Sequence, residues 1–280
     1  MVKKNVLPKK IGITVLIFLL LAFVLIPYIT MITSSFKTNA DLSAVPPKLF
    51  PENPTLEHYK GVFNPDVFPF LIYFKNSMIV ALSAAGIGVL IAIFGSYSFA
   101  RLEYKGRGLI QRGVLFVYMF GGVLLVIPLF QIIVKLGLFD TRTSLIITYI
   151  VQTLPVSLYM LGNYFRTVPE SIEEAAIIDG CSRLEVIFRI VLPLSAPAIV
   201  SVFIYAFMIA WNEYLFASVF INSEVLRTLP IGLNQLFYTQ HYIWGRMMAA
   251  SLLTAVPVIV LFLSIERFLA GGLTFGGVKG

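Results

Sequence analysis

Six long apolar stretches alternate with shorter polar segments along the chain. Each reaches the length of about 20 residues that an α-helix needs to cross the apolar core of a bilayer. The pattern predicts spans at residues 11–33, 77–100, 113–134, 144–165, 197–221 and 247–266. We therefore expect an all-α integral membrane protein with six transmembrane helices and a single transmembrane domain.

The composition fits a lipid environment, because 58% of the residues are hydrophobic and only 12% are charged, against about 25% in soluble domains. The net charge of +7 comes from Lys and Arg residues between the apolar stretches, which argues against nucleic-acid binding. The single cysteine, Cys181, excludes an intrachain disulfide. His58 and His241 show no metal-ligand spacing, so a metalloenzyme is not expected.

The distribution of basic residues predicts the orientation. With both termini inside, residues 1–10, 101–112, 166–196 and 267–280 carry 13 Lys and Arg, against 8 on the outer side. The positive-inside rule then places both termini in the cytoplasm, with residues 34–76 as a long outer loop and 267–280 as a cytoplasmic tail. We expect the outer loop, which is rich in proline, to be irregular, and the glycine-rich tail to be too flexible for a helix.

The long inner loop, residues 167–196, carries the pattern of two short helices. Ser171 with Glu174 predicts a capping box for the first helix, and Gly180 predicts its end in a left-handed position. Ser182 with Glu185 predicts a capping box for the second.

We expect the second helix of this loop to end at Pro193. An amphipathic linker lying on the membrane is the alternative for the loop. Such linkers are usually basic, whereas residues 170–185 hold five acidic residues and one Arg. The first helix is therefore predicted to bind a groove on a protein partner.

The sequence Glu174-Ala175-Ala176, then Asp179-Gly180, nine residues, and Ile190-x-Leu192-Pro193 resembles the "EAA" loop of binding-protein-dependent ABC importer permeases. Trp211-Asn212-Glu213-Tyr214, Leu229-Pro230-Ile231-Gly232-Leu233 and the glycine-rich ending at 271–280 are similar to the carbohydrate-importing branch, and to its smaller, six-span, maltose-type permease. One departure is Glu266, where the family has Gln.

The resemblance implies a type I importer fold in a complex with a second permease subunit, two ATPase subunits and an external sugar-binding protein. It further implies that the loop couples the chain to the ATPase, through residues Glu173, Glu174, Ala175, Ala176, Asp179 and Gly180. The tail, with Gly276, Gly277 and Lys279, is expected to reach into the ATPase dimer.

The chain has no GxxxxGK[ST] segment, so ATP and Mg²⁺ are expected on the partner ATPase and this chain is not expected to be an enzyme. For the substrate path, the polar and aromatic candidates within spans are Trp211, Asn212, Glu213, Gln152 and Asn163, with Tyr149 and Tyr205 beside them. Hydrogen bonding between helices, or packing, is the alternative for most of them.

Glu213 is the candidate with the strongest physical argument, because an ionisable group within a span is costly. It could pair with Arg227 or Arg246, contact the sugar directly, or lie at the outer headgroups. The rival class for the whole chain is a secondary transporter or channel, for which we would expect an intramembrane ion site and often inverted repeats. A membrane-embedded enzyme is a third possibility.

Overall fold

A computed structural model describes residues 6–119, 121–238 and 244–274 of the protein. The helices in chain order are α1 (Val6–Ser35), α2 (Asn39–Leu42), α3 (Glu57–Phe63), α4 (Phe70–Arg101), α5 (Arg107–Met119), α6 (Gly121–Lys135), α7 (Arg142–Phe165), α8 (Glu170–Ile178), α9 (Arg183–Val186), α10 (Leu192–Leu194), α11 (Ala196–Asn212), α12 (Leu215–Phe220), α13 (Leu229–Tyr238) and α14 (Trp244–Thr274). A π-helical segment, Ile187–Val191, joins α9 to α10, and a 3-10 turn, Glu224–Leu226, precedes α13.

Four of these helices are long and apolar enough to cross a membrane, at Lys10–Ser35, Phe70–Arg101, Arg142–Phe165 and Trp244–Ser264. Two further pairs of helices are long and apolar enough when the two helices of a pair are counted as one. They are α5 with α6, which are bent by 100°, and Arg183–Leu194 with α11, which are bent by 82°. If each bent pair is one span, the described residues hold six candidate spans, which is the number that the apolar pattern predicts. The second bent pair covers residues 183–212, whereas the predicted fifth span covers residues 197–221.

The predicted third and fifth spans are not single continuous helices. The third divides into α5 and α6, where Gly121 has a φ of +66° that an α-helix does not allow. The fifth is interrupted at Glu213, whose extended backbone, with ψ of 125°, ends α11 before α12 begins. Apolar periodicity does not detect either break, because the residues on both sides remain hydrophobic.

The chain divides into two compact units, and the first contains residues 1–70 with 232–256. In this unit, residues 10–29 of α1 are all exposed in the isolated chain, which suits contact with lipid or another subunit. The outer loop is less irregular than predicted, because it contains α2 and α3. Thr38 caps α2 by accepting a hydrogen bond from the Asp41 backbone.

His58 on α3 is a buried polar residue of this first unit. Its side chain is buried, and its Nε2 donates a 2.8 Å hydrogen bond to the Lys37 carbonyl oxygen. Gly245 lies so close that a Cβ there would be 2.0 Å from His58 Nε2. Burial lowers the pKa of His58 below its usual value, and this effect outweighs the hydrogen bond to Lys37 and the nearby Glu57, which both raise it.

The second unit, residues 71–231 with 257–280, holds a hydrophobic core shared by α4, α7, α11 and the loop after α7. Its buried members are Val89, Ala92, Ile93, Tyr97, Leu158, Leu161, Phe165, Ala176, Val186, Ile187, Val191 and Val202. Four of these, Ala176 to Val191, come from the predicted inner loop. The loop is therefore packed into the body of the unit and is not a loose linker.

Asn76 on α4 is a buried connection between segments distant in sequence. Its Nδ2 donates to the carbonyl oxygens of Val225 and Arg227, each at 2.9 Å, and its Oδ1 accepts from Arg142 Nε at 3.0 Å. Asp140 makes a second connection, because its Oδ1 accepts from the backbone N–H groups of Asn222 and Ser223, each at 2.9 Å. Both connections fasten the segment before α13 to the ends of spans.

The second helix of the inner loop ends within one residue of the predicted Pro193, because helical backbone continues through the π-helical segment to Leu194 and breaks at Ser195. A π-helical segment changes the hydrogen-bond register, which lets a residue without an N–H fit into a helical run. The expectation that the glycine-rich tail is too flexible for a helix is wrong as far as Thr274, because α14 includes Gly271 and Gly272. Residues 275–280 lie outside the described residues.

Candidate functional site

Helix α8 presents one buried face and one exposed face. Glu173 and Ala176 are its buried residues. The exposed positions include acidic and apolar side chains together: Ile172, Glu174, Ala175, Ile177, Ile178 and Asp179. Ile178 is 85% exposed, which is unusual for an isoleucine on a packed helix. This exposed face is an apolar and acidic surface of the kind that binds a protein groove.

The Glu173 side chain fixes α8 to the C-terminal end of α4. Glu173 Oε1 accepts a 2.7 Å hydrogen bond from Arg101 Nε, and Oε2 accepts a 3.0 Å hydrogen bond from the Tyr97 hydroxyl. The side chains of Glu173 and Arg101 are each only 7% exposed. Arg101 also donates from Nη2 to the Val168 carbonyl oxygen at 2.6 Å. Glu173 was predicted to contact the ATPase, but its carboxylate is directed into this chain.

The end of α8 has the geometry of a Schellman motif. The Gly180 N–H donates to the Ile177 carbonyl oxygen at 3.0 Å, and the Cys181 N–H donates to that of Ala176 at 2.9 Å. Gly180 has a φ of +91°, which confirms the predicted left-handed position. The motif reverses the chain directly into α9.

The two predicted capping boxes have opposite outcomes. Ser182 accepts from the Glu185 N–H while the Glu185 carboxylate accepts from the Ser182 N–H, so the box of α9 is confirmed. The predicted capping box of Ser171 and Glu174 is not formed. Helix α8 begins after Pro169, which is its N-cap residue and makes no side-chain capping hydrogen bond. Pro169 fits this place because a proline ring is compatible with the start of a helix. Ser171 and Glu174 lie within the helix and are both exposed.

A cavity of about 520 Å³ opens among α5, α6, α7 and α11. Its polar lining includes two of the predicted path residues, Gln152 and Glu213, together with Tyr118 and Tyr205. Gln152 lines the cavity, and its Oε1 is buried and has no hydrogen-bond partner among the described residues. Amide and tyrosine side chains of this kind suit a ligand with many hydroxyl groups.

Glu213 is held by groups other than the expected arginines. Its carboxylate accepts from the Tyr149 hydroxyl at 2.9 Å, and from the backbone N–H groups of Phe216 at 2.9 Å and Ala217 at 3.1 Å. Arg227 instead lies 3.6 Å from Glu224. Glu213 therefore caps the N-terminus of α12, where a helix dipole favours negative charge.

Other predicted path residues lie elsewhere. Trp211 is 2% exposed and stacks on Phe207 with a centroid distance of 5.5 Å, so it is part of the protein core. Asn212 is exposed and donates to the Met208 carbonyl oxygen at 2.8 Å. Asn163 lines a second cavity, of about 280 Å³, between α5 and α7. The tail residues Gly276, Gly277 and Lys279 lie outside the described residues.

The sequence did not predict Tyr97 and Arg101 as partners of Glu173, or Tyr118 as a cavity residue. Arg101 entered the predictions only as one of the basic residues that set the orientation. Its spacing of 72 residues from Glu173 carries no local signal. The loop has four acidic residues before Gly180. They were the available indication that one carboxylate lies on the buried face of α8 and has a partner there.

Comparison with known proteins agrees with this geometry. The family model described as binding-protein-dependent transport system inner membrane component matches residues 84–271, which include α8 and both cavities. The inner membrane ABC transporter permease protein YcjP of Escherichia coli (strain K12) is 51% identical over 262 residues, with 94% of each chain covered. The trehalose/maltose transport system permease protein MalG of Thermococcus litoralis is 39% identical, with 91% of this chain and 92% of the relative covered.

The fold is also that of a solved transporter chain. A chain from a bacterial ABC transporter involved in the import of the acidic polysaccharide alginate superposes with a TM-score of 0.81 and 20% sequence identity. The match covers 96% of this chain and 99% of that one. By sequence family, by its relatives and by its fold, this chain belongs to the family of inner membrane components of binding-protein-dependent transport systems.

Proposed function

We propose that this chain is the permease subunit of an ATP-driven carbohydrate importer, and that α8 carries the motion of a separate ATPase into the membrane. One observation carries the proposal: α8 exposes an apolar and acidic face while Glu173 joins it rigidly to α4. A helix that both faces outward and is fastened to a span can transmit a displacement. In linkage terms, the ATPase must bind this face differently in its two states.

The docking residues in this proposal are those exposed on α8 and at its end, namely Glu174, Ala175, Asp179 and Gly180. Ala176 is buried and packs α8 against the core, and Glu173 positions the helix through its contact with Arg101 of α4. The complex would contain a second permease, two ATPase subunits that bind ATP and Mg²⁺, and an external sugar-binding protein. Support comes from the family description, which names a binding-protein-dependent system.

The orientation in the membrane follows from the charges. We assign both termini, the α4–α5 connection and α8 to the cytoplasm, as the 13-to-8 distribution of Lys and Arg favours. The contact of Arg101 with Glu173 supports this assignment, because it joins two segments that the charge distribution independently places inside. In a Cys181→Ser background, Asn39→Cys should react with an impermeant thiol reagent from outside and Gly108→Cys should not. The reverse labelling would overturn the orientation.

Carbohydrate as the substrate class is supported by two observations. The relative from Thermococcus litoralis is a trehalose/maltose permease. The larger cavity presents Gln152, Tyr118 and Tyr205, which together offer hydrogen-bonding groups and aromatic faces. This chain would line one half of a path that opens alternately to the two sides, and the second permease would line the other half.

Copurification and activity test the proposal together. A tagged chain purified from its native membrane should retain an ATPase subunit in fixed stoichiometry, and its ATP hydrolysis should rise when sugar-loaded binding protein is added. Sugar uptake should stop when ATP hydrolysis is blocked. Uptake that continues without an ATPase partner and follows an ion gradient would favour the rival secondary transporter or channel.

A further inference from the structure

A row of polar side chains on α7 joins the two cavities. Gln152 lines the larger cavity, and Tyr159, Asn163 and Arg166 line the smaller one. These positions are 7, 11 and 14 residues after Gln152, which are close to whole numbers of helical turns and place all four on one face. Pro155 lines both cavities. The two cavities therefore adjoin at Pro155, and we refer to them together as the groove.

Two arginines, Arg112 and Arg166, line the smaller cavity, and both are exposed in the isolated chain. Within the described residues neither arginine is in an ion pair. Arg166 makes only long hydrogen bonds, of 3.5 Å, to Asn163 Oδ1 and the Phe99 carbonyl oxygen. Arg101 differs, because Glu173 and Glu170 occupy its guanidinium.

The carboxylate that lines the larger cavity does not pair with those arginines. Glu213 accepts hydrogen bonds from the Tyr149 hydroxyl and from backbone N–H groups, and none of these donors carries a positive charge. The groove thus has polar groups and one carboxylate at one end, and two arginines at the other.

We propose that the sugar passed by this permease carries an anionic group, such as a carboxylate, and that Arg112 and Arg166 bind that group at one end of the groove. The inference rests on the proposed function and adds the charge of its substrate. Guanidinium groups form charge-assisted, often bidentate hydrogen bonds with carboxylates, which are stronger than those to neutral hydroxyls. The side chains of Gln111 and Asn163 beside them would bind the hydroxyl groups of the same sugar.

A phospholipid headgroup is a different ligand with the same anionic chemistry. Basic pockets between spans can bind such headgroups at the cytoplasmic side. The row on α7 argues against it, because the amide oxygen of Gln152 would lack a hydrogen-bond partner along an acyl chain. Sugar uptake and copurified phospholipid in arginine variants distinguish the two ligands.

Charge-selective labelling tests the groove without knowledge of the sugar. In the assembled transporter with Cys181→Ser, Asn163→Cys is treated with a sulfonate and with a trimethylammonium thiosulfonate reagent of similar size. The ratio of the rate with the anionic reagent to the rate with the cationic reagent should be about tenfold higher at this cysteine than at an exposed reference cysteine. Arg112→Gln should reduce this preference severalfold, while Lys105→Gln, an exposed lysine outside the cavity, should not. A rate ratio that is unaffected by Arg112→Gln overturns the proposal.

Uptake measurements then test selectivity in the whole transporter. We expect uptake of a uronate-containing disaccharide to fall at least tenfold in Arg112→Gln and Arg166→Gln, with ATPase copurification unchanged. Uptake restricted to neutral disaccharides, and unaffected by these variants, overturns the anionic substrate but leaves the proposed function standing. If the variants lose copurified phosphatidylglycerol or cardiolipin while sugar uptake is unchanged, the anionic-sugar proposal is overturned and the arginines form a lipid site. Absence of any ATP-dependent uptake would count against the proposed function itself.

Discussion

Glu173 and Arg101 form a buried ion pair with an Oε1 to Nε distance of 2.7 Å, between a short helix outside the spans and the end of α4. Tyr97 completes the contact with a hydrogen bond to the other carboxylate oxygen. Two desolvated charges are stable here because each has hydrogen-bond partners on the opposite segment. The pair therefore determines how α8 is directed, while the exposed face of α8 remains available to a partner.

Removing the charge of Glu173 should uncouple the transporter. Glu173→Gln leaves Arg101 buried without its counter-ion, and breaking one side of a buried pair typically costs about 3–5 kcal/mol. We expect near-normal membrane insertion, retained basal ATPase activity, and loss of stimulation by the sugar-loaded binding protein. Glu103→Gln, at an exposed glutamate between α4 and α5, is the control and should keep the stimulation. Equal, full stimulation in both variants would contradict a bracing role for Glu173.

Gly180→Val should misdirect the chain between α8 and α9. A valine is strongly disfavoured at a φ of +91°, at a cost of roughly 1–2 kcal/mol or more, although no atom lies within 4 Å of its Cβ. The effect is thus backbone strain and not a clash. Gly180→Asn should be much milder, because asparagine tolerates left-handed conformations. Transport and stimulated ATP hydrolysis measure the effect, and equal activity of the two variants would argue against the left-handed turn as the requirement.

Glu213→Ala should loosen α12 rather than remove an ion pair. Glu213 precedes the N-cap residue Tyr214, and the loss of its capping hydrogen bonds should cost about 1 kcal/mol, as for an N-cap side chain. The Tyr149 hydroxyl would also lose its acceptor. Tyr149→Phe should have a smaller effect, because the two backbone hydrogen bonds of Glu213 remain. The thermal midpoint of the purified complex and the transport rate report the difference. If Glu213→Gln and Glu213→Ala both leave assembly and transport unchanged, Glu213 has no structural role.

Stability of the first unit should fall on acidification because of His58. Since burial lowers the pKa of His58 in the folded state, its neutral form is favoured there, and the unfolded chain takes up the proton first. The stabilising contribution is present above the unfolded pKa of about 6.5 and decreases as the pH falls below that value. Thermal midpoints measured between pH 8 and pH 5.5 should therefore decrease more in the wild type than in His58→Gln. A parallel decrease in the two proteins would contradict the assignment to His58.

The sequence by itself determined the number of spans, the acidic inner loop and the turn at Gly180, because each depends on local rules. Apolar length gives a span, and a left-handed residue after a helix requires glycine. The capping box of Ser182 and Glu185 is equally local, since its two hydrogen bonds form within one turn. The family resemblance rested on the same local signals, and the family match confirms it.

Tertiary structure alone decided which loop carboxylate faces inward and which groups hold Glu213. Glu173 and Glu174 are adjacent and chemically similar, and only the position of Arg101, 72 residues away, makes one a buried partner and leaves the other exposed. The breaks at Gly121 and Glu213 were hidden because apolar residues continue across them. Non-local hydrogen bonds select among local alternatives of nearly equal free energy, and such a selection leaves no periodic signal in the sequence.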